Sequence, residues 1–140
     1  MLRRHSLSIV AIALLITWLA GYRLLDPKTH LGAFFGNAIA DWSGSVVIII
    51  GTKFLYETGS AESRTPHPRK RKRWQRFLIR HSLLLFLIVT GTAWSVLFLR
   101  MNPESKWGQV VGNIVSEWVQ MAGLVFLTKR LVEIGSKESR

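Results

Sequence analysis

The chain has no cysteine among its 140 residues, which excludes disulfides, iron–sulfur clusters and thiolate metal sites. It is also short of acid, with 8 Asp and Glu against 19 Lys and Arg and a formal net charge of +11. The signatures of common catalytic sites are missing as well: there is no HExxH, no glycine-rich phosphate loop, no GxSxG and no carboxylate cluster in the polar segments. These absences argue against an enzyme, and no metal or cofactor is expected.

What the chain does have is apolar sequence. Hydrophobic residues make up 49% and six are Trp. They fall in four blocks separated by charge: Ser6 to Leu25, Phe34 to Thr52, Ser82 to Leu99 and Val110 to Thr128. Blocks of this length, about 20 residues, are long enough for a helix to cross a hydrocarbon core of about 30 Å. Four crossings use most of the chain and leave no separate soluble domain. The first block could be a signal peptide behind Arg3 and Arg4. Bulky Trp18 at the minus-three position of the only small-residue cleavage site, after Ala20, opposes that, and so does the recurrence of the block further on.

Sliding the sequence on itself by 76 positions aligns residues 2–64 with 78–140 without a gap, and 21 of the 63 pairs are identical. The matches include His5/His81, Trp18/Trp94, Pro27/Pro103, Gly32/Gly108, Gly36/Gly112, Asn37/Asn113 and Trp42/Trp118, and they end in GSAESR against GSKESR. Apolar composition alone would not bring prolines, glycines and a polar tail into one register, so the pattern is that of a duplicated helical hairpin. The expected organisation is a first hairpin at residues 1–64, a basic linker at 65–77 and a second hairpin at 78–140. Two crossings per unit make the units parallel repeats about an axis along the membrane normal.

Charge sets the orientation. Only Arg23, Lys28, Arg100 and Lys106 of the 19 basic residues lie at the two short hairpin turns, so the positive-inside rule places both termini and the linker in the cytoplasm. The fold class expected is therefore all-α, with four transmembrane helices from two tandem hairpins. Within the linker, Arg69, Lys70, Arg71, Lys72 and Arg73 form a cluster suited to anionic headgroups. Nucleic-acid binding is the less favoured reading of that cluster, although Trp74 would suit base stacking.

Asp26-Pro27 and Asn102-Pro103 read as turn initiators. Gly59 and Gly135 read as helix C-caps, and Lys53–Glu57 and Lys129–Glu133 as i, i+4 pairs at helix ends. The glycine pairs Gly32/Gly36 and Gly108/Gly112 have the spacing of close helix packing. His5 and His81 are a matched pair at the mouths of helices one and three. Two axis-related imidazoles could ligate haem or a metal, but no third ligand is evident, and an interfacial polar role beside Ser6 and Ser82 is favoured.

The second helix of each hairpin carries a polar stripe: Asn37 and Asp41 in the first, Asn113, Glu117 and Gln120 in the second. The acids are expected about 8 to 12 Å inside the outer boundary. Acids in such segments should face protein or water, and they make Asn37, Asp41, Asn113, Glu117 and Gln120 a candidate proton or cation site. The competing reading is structural: hydrogen bonds between helices, with Glu117 paired to Arg100 or Lys106.

The runs NIVSEWVQM, LTKRL and GSKESR resemble a family of small bacterial membrane proteins classed as a domain of unknown function. That family's second helix carries an Asn, a Ser-Glu-aromatic-x-Gln-Met run, a Leu-Thr step and a Gly-Ser-x-Glu-Ser-Lys/Arg ending. The likeness is strongest over residues 113–140. It extends weakly through RHSLS and RHSLL, where the family has Asn in place of His5 and His81, while ADWSG replaces SEWVQ in the first copy. The resemblance implies a multi-pass protein of the bacterial inner membrane without enzymatic activity. Two functions are expected to compete: a channel or carrier for protons or small cations, as a homo-oligomer, and a scaffold or regulatory subunit that packs on another membrane protein through its glycine faces.

Overall fold

The computed structural model describes residues 5–64 and 72–131, together with Ile134 and Ser136. Arg69, Lys70, Arg71, Glu133 and Gly135, singled out above, lie outside the described residues. The described chain is all-helical: α1 (Ser6–Leu24), α2 (His30–Gly51), α3 (Arg73–Arg80), α4 (Ser82–Arg100) and α5 (Lys106–Leu127). All but α3 are long and apolar enough to cross a membrane, the signature of a multi-pass membrane protein. A helix satisfies every backbone group within its own segment, the requirement that lipid imposes.

The bounds of α4 and α5 are those of α1 and α2 shifted by 76 residues. The turns also match in detail. Asp26 Oδ1 accepts the amide of Lys28 at 2.9 Å, and Asn102 Oδ1 accepts that of Glu104 at 2.9 Å. The next helix is then capped by a hydroxyl: Thr29 Oγ1 accepts from Gly32 N at 3.0 Å, and Ser105 Oγ accepts from Gly108 N at 3.0 Å. Each cap satisfies one of the amides that a helix start leaves without an intrahelical partner.

The close helix pairs are α1 with α2, α2 with α5 and α5 with α4. The two second helices are thus central, and α1 and α4 flank them. Core side chains follow that order, with Ile39, Ile114, Trp118 and Val125 buried on the central pair and only a few positions buried on α1 and α4. Apolar residues left exposed on the flanking helices, among them Ile16 and Val89, are those a lipid phase would cover. Trp118 donates its Nε1–H to Thr90 Oγ1 at 2.8 Å and meets Trp94 edge-on at 6.0 Å, fixing α5 against α4.

At the end of the molecule opposite the turns, the chain does not continue α2. The helix closes at Gly51, and residues 52–64 fold back as a strap across the starts and ends of neighbouring helices. Tyr56 N donates to Ser82 Oγ at 2.8 Å and its carbonyl accepts from Leu83 N at 2.9 Å, Thr58 N donates to Arg80 O at 2.9 Å, and Ser60 Oγ meets Thr128 Oγ1 at 3.0 Å. Gly59 carries the only positive φ among the described residues, +89°, and it turns this strap. It is therefore not the helix C-cap expected from the sequence, because the polar run after Thr52 finds its backbone partners on other helices.

Candidate functional site

The polar stripe lies along the seam of α2 and α5. Asn113 Nδ2 donates to Asn37 Oδ1 at 2.5 Å, joining two residues that differ by 76 in number. One turn further along stand Asp41 and Glu117, each the twelfth of 22 helical residues. At 1.5 Å per residue that is about 16 Å from the helix start, at the midpoint. The helices begin at His30 and Lys106, directly after the capped turns and one turn ahead of the apolar runs that start at Phe34 and Val110.

Glu117 is half-buried against Gly44. A Cβ at position 44 would stand 2.6 Å from its Cγ, so the glycine makes room for the carboxylate. Beyond it an open recess of about 310 Å³ runs between the two helices, lined by Gly44, Ser45, Ile48, Glu117 and Met121, with Glu62 of the strap at its far end. Glu62 also lines a second recess of about 480 Å³ with Thr52, Lys53, Tyr56 and Arg64. The strap thus sets a carboxylate between an intramembrane recess and a polar one at the helix ends. Glu62 went unnoticed in the sequence; the only available signal was its place in the repeated GSAESR tail.

The other stripe residues are placed differently. Asn37, Asp41 and Gln120 are exposed, and neither Asp41 nor Gln120 lines the recess. Lys106 does not reach Glu117; its ammonium donates to the carbonyls of Arg23 at 3.2 Å and Leu25 at 2.6 Å and lies over the Tyr22 ring. Tyr22 in turn donates to the Lys106 carbonyl at 2.7 Å. These bonds lock the end of α1 to the start of α5, and among the described residues neither Lys106 nor Arg100, the two basic partners considered, forms an ion pair with Glu117.

The glycines act inside the hairpins. A Cβ on Gly32 or Gly108 would collide with the carbonyl of Asp26 or Asn102 in the preceding turn. At Gly36 it would come within 3.2 Å of the Tyr22 ring, and at Gly112 within 2.9 Å of the Phe98 ring. All four are packing residues, but their contacts are with their own turn or flanking helix. Gly32, Gly36 and Gly108 are buried by these contacts, and Gly112 is half-buried.

A second polar centre was missed in the sequence. Glu57 is fully buried in the strap. Its Oε1 accepts from His81 Nδ1 at 2.6 Å and forms an ion pair with Lys129, and its Oε2 accepts the Leu84 amide at 3.3 Å. Leu84 stands in the first turn of α4, so the carboxylate meets a helix N-terminus, where free amides and the helix dipole favour negative charge. This explains how α4 starts without a side-chain cap from His81. The i, i+4 pairing of Lys53 with Glu57 is absent, because α2 has ended before both; Lys53 Nζ instead donates to Ser8 Oγ at 2.7 Å. His81 is thus occupied by a carboxylate.

Lys72 and Arg73, the described part of the basic cluster, lie exposed at the start of α3. Among the described residues no group of three or more His, Asp or Glu is arranged to hold a metal ion. No family model, no curated protein and no solved structure matches this chain.

Proposed function

We propose that the protein is a channel or carrier for protons or small cations, with the α2–α5 seam as its site. The reading rests on one observation: Glu117, at mid-helix, heads a recess whose other end is the strap carboxylate Glu62. A charged carboxylate at the bilayer centre costs about 2.5 to 3.5 kcal/mol on insertion scales, so such a group persists where water, a proton or a cation reaches it. In this reading Glu117 is the central exchange group, Asp41 its counterpart across the seam, and the Asn37–Asn113 pair a neutral neighbour that holds the two helices in register. Glu62 and the polar recess beside it form the entrance. The scarcity of basic residues at the turns supports a cytoplasmic position for that entrance, in a bacterial inner membrane as the resemblance noted above implies.

A second reading has its own observation. Asn37, Asp41 and Gln120 are exposed on helices otherwise suited to lipid, and a further protein would cover them. In that case the chain is a scaffold or regulatory subunit, or associates with its own copies, through the polar stripe and not through its glycines.

Proton and potassium flux in liposomes separates the two. The wild type is compared with the Asp41→Asn/Glu117→Gln double variant and with Glu62→Gln, helicity being checked in each. Flux that vanishes in the folded double variant and falls in Glu62→Gln supports the permeation site. No flux from the wild type, together with a specific partner retained through purification, supports the scaffold.

A further inference from the structure

Helix α3 has no buried residue, yet it is not uniformly polar. Successive residues on a helix are about 100° apart, which divides α3 into three faces. Gln75 and Ile79 are half-buried and turn toward the protein. Trp74, Phe77 and Leu78 share a second face and are 59%, 59% and 46% exposed. Arg73, Arg76 and Arg80 occupy the third, with Lys72 just before the helix, all exposed. Three large apolar side chains beside these cations, with no acid anywhere in α3, form an amphipathic surface that the described residues leave largely open, Phe77 meeting only the His81 ring at 4.8 Å.

Its position identifies the occupant. Only His81 separates α3 from α4, so α3 lies within one turn of the end of a membrane-length helix. That junction is held firmly: His81 is bonded to Glu57 at 2.6 Å, and the Arg80 carbonyl accepts from Thr58 N at 2.9 Å. A helix fixed at that height cannot avoid the boundary between headgroups and acyl chains. We infer that α3 is a membrane-surface helix which inserts Trp74, Phe77 and Leu78 into an anionic leaflet and holds lipid phosphates with Arg73, Arg76 and Arg80. Apolar burial and attraction to anionic lipid act together in such helices, each basic residue near the surface strengthening association about fivefold. The inference depends on the four spanning helices and not on ion conduction.

The absence of cysteine makes the test direct. Phe77→Cys and Arg76→Cys are each labelled with a nitroxide in the full-length protein. They are reconstituted in liposomes of phosphatidylcholine alone or mixed with phosphatidylglycerol, with helicity as the folding control. In the anionic liposomes the label at position 77 should be several-fold less accessible to a water-soluble relaxation agent than the label at 76. That protection should weaken in neutral lipid, at high salt, and when Arg73→Gln and Arg80→Gln are added. Equal accessibility at the two positions in anionic lipid would overturn the inference. So would protection indifferent to lipid charge, or protection that appears only when RNA is added.

Discussion

Glu57→Gln is expected to destabilise the protein by about 3 kcal/mol, and Glu57→Ala by about 5 kcal/mol. The carboxylate is fully buried, while the side chains of its partners Lys129 and His81 are only 18% and 31% exposed. Removing one member of a buried ion pair costs about 3 to 5 kcal/mol, because the other is left desolvated and uncompensated. Gln retains an acceptor for the Leu84 amide and sits at the low end; Ala loses the acceptor too and leaves a cavity. For a chain of this size each kcal/mol moves the unfolding midpoint by about 2 to 4 °C. A drop of roughly 6 to 12 °C should therefore appear when purified Glu57→Gln is melted in detergent beside the wild type. Lys129→Met in the Glu57→Gln background should recover part of the loss, since it removes the stranded charge. A drop below about 1 kcal/mol, the range of an exposed ion pair, or no recovery in the double variant, would refute the assignment of Glu57 as the buried anchor of the strap.

The glycines give a matched pair of outcomes. Gly32→Ala forces a Cβ into the Asp26 carbonyl and should cost about 1 to 3 kcal/mol, whereas Gly123→Ala meets nothing within 4 Å and should be neutral or stabilising by up to about 1 kcal/mol; thermal melts of both variants check this. Asn113→Leu should cost about 0.6 to 2 kcal/mol, and a double-mutant cycle with Asn37→Leu should return most of it as coupling if the two amides bond to each other. Reporter fusions after Lys28 and Lys106 should report outside and a fusion within residues 69–73 inside, the reverse pattern placing the Glu62 entrance on the opposite face.

Much of this protein was determined by its sequence alone, through signals that are local. Hydropathy located the four long helices, since a segment's length and apolarity belong to that segment. Asp26-Pro27 and Asn102-Pro103 marked the turns because a missing donor and an Asx side chain act within a few residues. Helical spacing put Asn37 with Asp41 and Asn113 with Glu117 on single faces, for periodicity is a property of one helix. Only the tertiary structure decided which groups meet. Lys53 and Glu57 have helix-pair spacing, yet α2 stops at Gly51, and Glu57 takes its partners from the other hairpin, at His81 and Lys129. Gly36 and Gly112 have an association motif's spacing, but Tyr22 and Phe98 already fill the space before them. Glu62 has no neighbour in sequence that marks it, and it reaches the seam recess only because the strap folds back beneath α2 and α5. A buried charge is stabilised by whatever the fold brings within a few ångströms, and no spacing along the chain encodes that distance.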